Sequence, residues 1–177
     1  MKRLLLLRHA KAIPGTTKSG DHGRPLNERG RLDAPRMGIA MQHKRYLPDR
    51  VLCSTAKRTL ETWEHVAPEL DGKPEVIFSD ELYLAPWKLI ANMARAQPKA
   101  SEVVLVIGHN PGLEECARAL ARKPKTDDEH KRLDALNDKF PTCALAVLDF
   151  DAETWTDIAS GAGVLADFIR PRGLTDG

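Results

Sequence analysis

Two short, unbroken apolar runs constrain this chain more than anything else in its sequence: residues 4–7, all leucine, and residues 103–107, Val-Val-Leu-Val-Ile. By itself such a run fits a strand or a piece of buried helix. The brevity of the first run, and the Pro14, Gly15, Gly20, Gly23 and Pro25 that follow it, favour a strand. A strand apolar at every position must be covered on both faces, as in the middle of a parallel sheet. The second run is rich in β-branched residues and is the clearest strand of all.

Between these runs the pattern alternates. Residues 10–26 read as a loop. Asn27 is placed to cap a helix running towards Tyr46, with Pro35 and Gly38 as points where it could kink or break. Residues 50–53 form a second strand candidate, after which Ser54 or Thr55 is placed to cap a helix through Leu60, Trp63, Val66 and Leu70. Residues 75–78 suggest a third strand, and Pro86 the first turn of a helix through Leu89, Ile90 and Met93. A helix through Leu113, Cys116 and Leu120 follows the 103–107 strand. Residues 122–139 are dense in charge and read as a solvated segment. Residues 143–150 and 154–158 read as a late hairpin, and the tail from about residue 170 to 177 as poorly ordered. Strands alternating with helices predict an α/β three-layer sandwich, a mostly parallel central sheet flanked by helices, forming a single domain over residues 1–177.

Composition removes several classes of function. Apolar residues make up 42% and charged residues 29% of the 177, the balance of a globular domain rather than a disordered chain. The formal net charge of +2 is too small to make nucleic acid the expected partner. No apolar run reaches membrane-spanning length, and residues 4–7 are too few for a secretory signal. The three cysteines, Cys53, Cys116 and Cys143, are odd in number and scattered, so neither a disulfide framework nor a zinc knuckle is expected. The expectation is a reduced, cytoplasmic protein.

The chemistry concentrates where the strands end, which is where ligands bind in folds of this kind. Arg8-His9 leaves the first strand, Ser54 to Arg58 the second, and Gly108-His109-Asn110 the 103–107 strand. A phosphoryl-transfer site must bind a dianion and stabilise charge on its equatorial oxygens. Arginine suits this because its planar fork donates two parallel hydrogen bonds to phosphate oxygens. Arg8 and Arg58 are the candidates. Arg58 also falls in the first turn of a helix, a poor place for a cation unless an anion sits nearby. A neutral imidazole is a competent nucleophile near pH 7, the role His9 fits, and His109 could donate a proton to a phosphate oxygen. The two histidines follow different strands with no carboxylate cluster beside them, so no metal and no other cofactor is expected.

Three motifs, Leu7-Arg8-His9-Ala10, Ser54-Thr55-Ala56-Lys57-Arg58-Thr59-Leu60-Glu61-Thr62 and Val106-Ile107-Gly108-His109-Asn110-Pro111, together resemble the signature of the histidine phosphatase superfamily, with its phosphoglycerate mutase-like fold. The short chain, the segment Arg24-Pro25-Leu26 followed by Asn27-Glu28-Arg29-Gly30, and Gly-His-Asn-Pro in the third motif resemble the SixA-type phosphohistidine phosphatases within it. The resemblance implies that His9 attacks phosphorus and becomes phosphorylated, that Arg8, Arg58 and His109 clamp the phosphoryl oxygens, and that Arg24 adds a contact. It places Glu81 where many members carry the acid that protonates the leaving group. Asp21 and His22 lie in the first long loop and could touch the substrate, with nothing in the sequence to raise them above loop residues. The substrate implied is a phosphorylated protein carrying phosphohistidine, or a small phosphorylated molecule.

Three rivals bear on this reading. A cysteine-dependent phosphatase needs six positions from nucleophile to arginine, and Cys53 to Arg58 is five. A mutase, or a small-molecule phosphomonoesterase, keeps the superfamily and changes the substrate. Mutases usually add loops that close over the site, which so short a chain has little room for. A non-catalytic phosphate-binding adaptor would be expected to lose His9 or an arginine, and all are present.

Overall fold

The computed structural model of the chain describes residues 1–174. Eleven strands and helices follow in the order β1 (Lys2–Arg8), α1 (Glu28–His43), β2 (Arg50–Ser54), α2 (Lys57–Val66), β3 (Glu75–Ser79), α3 (Trp87–Arg95), β4 (Val103–Gly108), α4 (Gly112–Leu120), α5 (Asp127–Asp138), β5 (Leu145–Phe150) and β6 (Val164–Ile169). The six strands form one sheet ordered β3-β2-β4-β1-β5-β6. The first four are mutually parallel, and β5 runs antiparallel to both β1 and β6. The mostly parallel sheet expected from the sequence is therefore present.

The two apolar runs lie side by side at its centre, Leu4 to Leu7 paired in register with Val104 to Ile107. Their side chains alternate between faces, as strand geometry requires. Leu4, Leu6, Val104 and Val106 join one buried cluster with α3, α4 and α5, whereas Leu5, Leu7, Leu105 and Ile107 join another with α1 and α2. This is why both runs are apolar at every position: each residue meets a helix layer on its own side.

Asn27 caps α1, its Oδ1 accepting from the Gly30 amide at 2.9 Å. The helix runs through Pro35 and Gly38 without a break. Gly38 is a point of close approach, because a Cβ there would sit 2.9 Å from the Val66 carbonyl oxygen. Neither Ser54 nor Thr55 caps α2. Its N-cap is Ala56, without a side-chain bond, because Ser54 and Thr55 point to other partners.

Two expectations need correction. Residues 127–138 are a helix, α5, capped by Thr126 and anchored by the buried Leu136; its other eleven side chains keep at least part of their surface in solvent, which is why the segment looked like loop. The strand expected at residues 154–158 is instead a short 3-10 turn at Trp155–Asp157, and the partner of β5 is β6. Trp155 is wholly buried, its indole N–H donating to the Ser101 carbonyl at 2.7 Å, so its hydrophobicity serves packing rather than a sheet. Of the tail, Leu174 is half-buried against the α1–α2 side of the core, and residues 175–177 lie outside the described residues. Among the described residues, no helix is long and apolar enough to cross a membrane.

Candidate active site

Three parallel strands, β2, β4 and β1, end beside one another and deliver their following residues to one place. His9 follows β1 and is 7% exposed. Its amide donates to the Gly108 carbonyl at 3.1 Å, tying the end of β1 to that of β4. Its Nδ1 lies 2.7 Å from the Ala10 carbonyl oxygen. A carbonyl only accepts, so Nδ1 carries the proton and Nε2 keeps its lone pair. Burial, reinforced by the charges of Arg58, Arg8 and Arg24, pushes the imidazole pKa down to about 3. At neutral pH the ring is uncharged and held in one tautomer, with the lone pair of Nε2 free.

His109 leaves β4 with its ring centroid 5.4 Å from that of His9. Its Nε2 lies 2.8 Å from the Ser54 hydroxyl at the end of β2. Burial, with the nearby His9 and Arg58, pushes its pKa down to about 3 as well. If the Ser54 hydroxyl donates to Nε2, the ring's proton sits on Nδ1, which is buried and has no partner. Arg58 enters from α2, 2% exposed, and Arg8 ends β1 with one guanidinium nitrogen donating to the Phe140 carbonyl at 2.9 Å. Each has a buried Nε without a partner. Buried donors are nearly always satisfied, so three orphans around one histidine mark a place for an acceptor-rich ligand.

The second motif is built to hold this arrangement. Thr59 donates its hydroxyl to the carbonyls of Ser54 and Ala56, both at 2.7 Å, bending the chain from β2 into α2. Thr62 Oγ1 accepts from the Ala10 amide at 2.9 Å and donates to the Arg58 carbonyl, locking α2 to the segment after His9. A Glu61 carboxylate oxygen accepts from the Leu26 amide at 2.7 Å and so fixes the Arg24-Pro25-Leu26 segment. Gly30 lets α1 approach the strand end, since a Cβ there would lie 2.2 Å from the Lys11 carbonyl oxygen.

Arg8, His9, Arg58 and His109 are thus brought together, and Arg24 joins them through Asp21. Asp21, in sequence no more than a loop residue that could touch the substrate, is the link. Its carboxylate accepts from Arg24 Nε at 2.9 Å, from Arg58 Nη2 at 3.1 Å and from the Tyr83 hydroxyl. The Tyr83 hydrogen bond, with those from the arginines, holds its pKa down at about 2. The Tyr83 ring meets His109 edge-on at 5.4 Å and lies 5.8 Å from the Arg58 guanidinium. The three-residue spacing of Asp21 and Arg24 was a visible but weak signal; Ser54 opens the second motif, and for Tyr83 there was no signal. Glu81 is not joined to this cluster. It lies exposed in the 3-10 turn at Asp80–Leu82, its side chain without a hydrogen bond or ion pair among the described residues. Cys53 lies one residue before Ser54, buried, with burial raising its thiol pKa to about 12, so it supplies no thiolate at neutral pH. Among the described residues no three His, Cys, Asp or Glu side chains gather as a metal-ligating group.

Residues 4–83 match the model of the histidine phosphatase superfamily, branch 1. The chain is 33% identical over 168 residues to an uncharacterised protein of Mycobacterium tuberculosis, covering 94% of this chain and all of that one. It belongs to the histidine phosphatase superfamily. Two solved structures place it in the SixA-type branch. One, from Agrobacterium tumefaciens and described as a candidate phosphohistidine phosphatase SixA, is 32% identical with a TM-score of 0.78, covering 96% of this chain and 98% of that one. The other, from Nakamurella and similarly described, is 29% identical with a TM-score of 0.81 and covers 96% of each chain. Superfamily membership together with the SixA-type neighbours supports phosphatase function, that of a hydrolase of the class that works through a histidine nucleophile.

Proposed function

We propose that this phosphatase hydrolyses phosphohistidine on a protein substrate, through a phosphorylated His9. The observation that carries the reading is the set of buried, partnerless nitrogens, Arg8 Nε, Arg58 Nε and His109 Nδ1, around an imidazole held neutral. A phosphoryl group has three equatorial oxygens to accept from such donors. His9 Nε2 attacks phosphorus with its lone pair, the P–N bond to the substrate imidazole breaks, and that imidazole departs with its proton. Water then attacks the phosphoryl group on His9, releasing inorganic phosphate and restoring the neutral ring.

The leaving group favours phosphohistidine over an alkyl phosphate ester. An alkoxide needs a proton from the enzyme, and Asp21, the carboxylate bonded to the site's arginines, is held ionised far below pH 7. A protonated phosphoimidazole brings its own. Three buried free thiols suit a reducing compartment, the cytoplasm. The test is mass spectrometry of protein quenched during turnover of phosphoramidate. An acid-labile phosphoryl group should appear on His9, and His9→Ala should abolish both adduct and turnover. A stable phosphate on another residue, or equal turnover by His9→Ala, refutes the mechanism.

A further inference from the structure

A groove of about 570 Å³ lies at the same end of the sheet as His9, beyond β1 towards β5 and β6. Leu7 pairs with Leu145, and Leu145 with Ile169, so the end of β6 stands level with the end of β1. Two strand spacings separate them, about 10 Å. Lys11, Arg29, Lys139, Arg170 and Arg172 line the groove. They come from four separate segments: the turn after His9, the start of α1, the end of α5 and the stretch after β6. The loop between α5 and β5 ties the groove to the catalytic side, for the Phe140 carbonyl accepts from Arg8 and the Cys143 amide donates to the His9 carbonyl.

Among the described residues, two carboxylates face these five cations. Asp33 pairs with Arg29 at 3.1 Å, and Asp138 lies 3.7 Å from Arg170. Lys11, Lys139 and Arg172 have no acidic partner among the described residues, and all three are exposed. Among the described residues the groove therefore carries three uncompensated positive charges, a local excess that the formal net charge of +2 does not reveal. Such local charge draws an anionic partner where overall charge does not. No aromatic side chain lines it, so a nucleobase would find no stacking surface. Lysines and arginines spread along an open channel suit a chain of carboxylates.

We infer that this groove binds an acidic peptide segment, rich in Asp and Glu, that flanks the phosphorylated residue of the protein substrate. The inference rests on the phosphohistidine reading for its role, but not for the binding itself. Two ten-residue phosphohistidine peptides, one with Glu flanks and one with Ser and Asn flanks, test it on the full-length protein. The acidic peptide should have about tenfold higher kcat/KM at low salt, expressed in KM. The advantage should shrink with added salt and vanish in Lys11→Ser/Lys139→Ser/Arg172→Ser, whose three exposed positions leave the core intact. Equal kcat/KM for the two peptides, or an advantage that survives in the triple variant, overturns the inference. If neither peptide nor phosphoramidate is turned over, the phosphohistidine reading fails alone. Calorimetry with the unphosphorylated Glu-flanked peptide then decides, since it must bind the wild type and not the triple variant. Binding of pyrophosphate at these residues without binding of that peptide would assign the groove to a small polyanion and overturn the inference as well.

Discussion

Acid should destabilise this protein through His9 and His109, the two buried imidazoles of the candidate site. His9 and His109 both have pKa values near 3 in the folded chain and near the ordinary 6.5 when unfolded. Between these values the unfolded chain binds protons that the folded one refuses, so stability is full above about pH 6.5 and falls as pH drops. At pH 5 the unfolded rings are about 1.5 units below their pKa, and at about 1.36 kcal/mol per unit each imidazole has cost about 2 kcal/mol. The folded rings are still neutral there, so the figure depends on the unfolded value and hardly on how far below pH 5 the folded one lies. The pair together removes about 4 kcal/mol, a large part of the roughly 5–15 kcal/mol that holds a domain together. Asp21, lowered from 3.8 to about 2, adds its own loss only below about pH 4. Urea denaturation at pH 8 and pH 5 measures the difference. The variant His9→Gln/His109→Gln should lose about 4 kcal/mol less than the wild type over the same interval. Equal losses in the two proteins would mean that the folded imidazoles accept protons freely, and would refute the account of a neutral nucleophile.

Two further outcomes follow from the arginines. Arg58→Gln should lower kcat/KM by about 10²–10³-fold, the scale of losing one preorganised donor to the transition state. The fold should survive, because the Asp21 side chain is 41% exposed and water can replace its lost partner; a loss under about threefold places Arg58 outside the reaction. Asp21→Asn should tighten inhibition by inorganic phosphate about three- to tenfold, since the carboxylate accepts from Arg24 and Arg58 and competes with an incoming anion for them. Weaker phosphate inhibition in that variant would show that Asp21 assists the anion instead.

The two central strands were legible because burial on both faces leaves an unmistakable trace: each residue of 4–7 and 103–107 is apolar. The α5 helix was not, for the opposite reason. A helix anchored by one buried leucine carries almost no periodic signal, and only its docking against β6 reveals it. The second strand of the late hairpin was misplaced because Trp155 is hydrophobic for packing, a distinction that depends on neighbours brought from elsewhere in the chain.

At the site, the sequence by itself determined the reactive residue types and their place at strand ends, because backbone connectivity carries Arg8, His9, Arg58 and His109 to the same edge of a parallel sheet. Only the tertiary structure decided the state those groups are in. The tautomer of His9 depends on the Ala10 carbonyl, its neutrality on burial beside three arginines, and the neutrality of His109 on burial beside His9 and Arg58. It also decided that Asp21 and Tyr83, rather than Glu81, meet the arginines. Charge state and hydrogen bonding are set by distances of a few ångströms between residues far apart in the chain, and no local pattern encodes them.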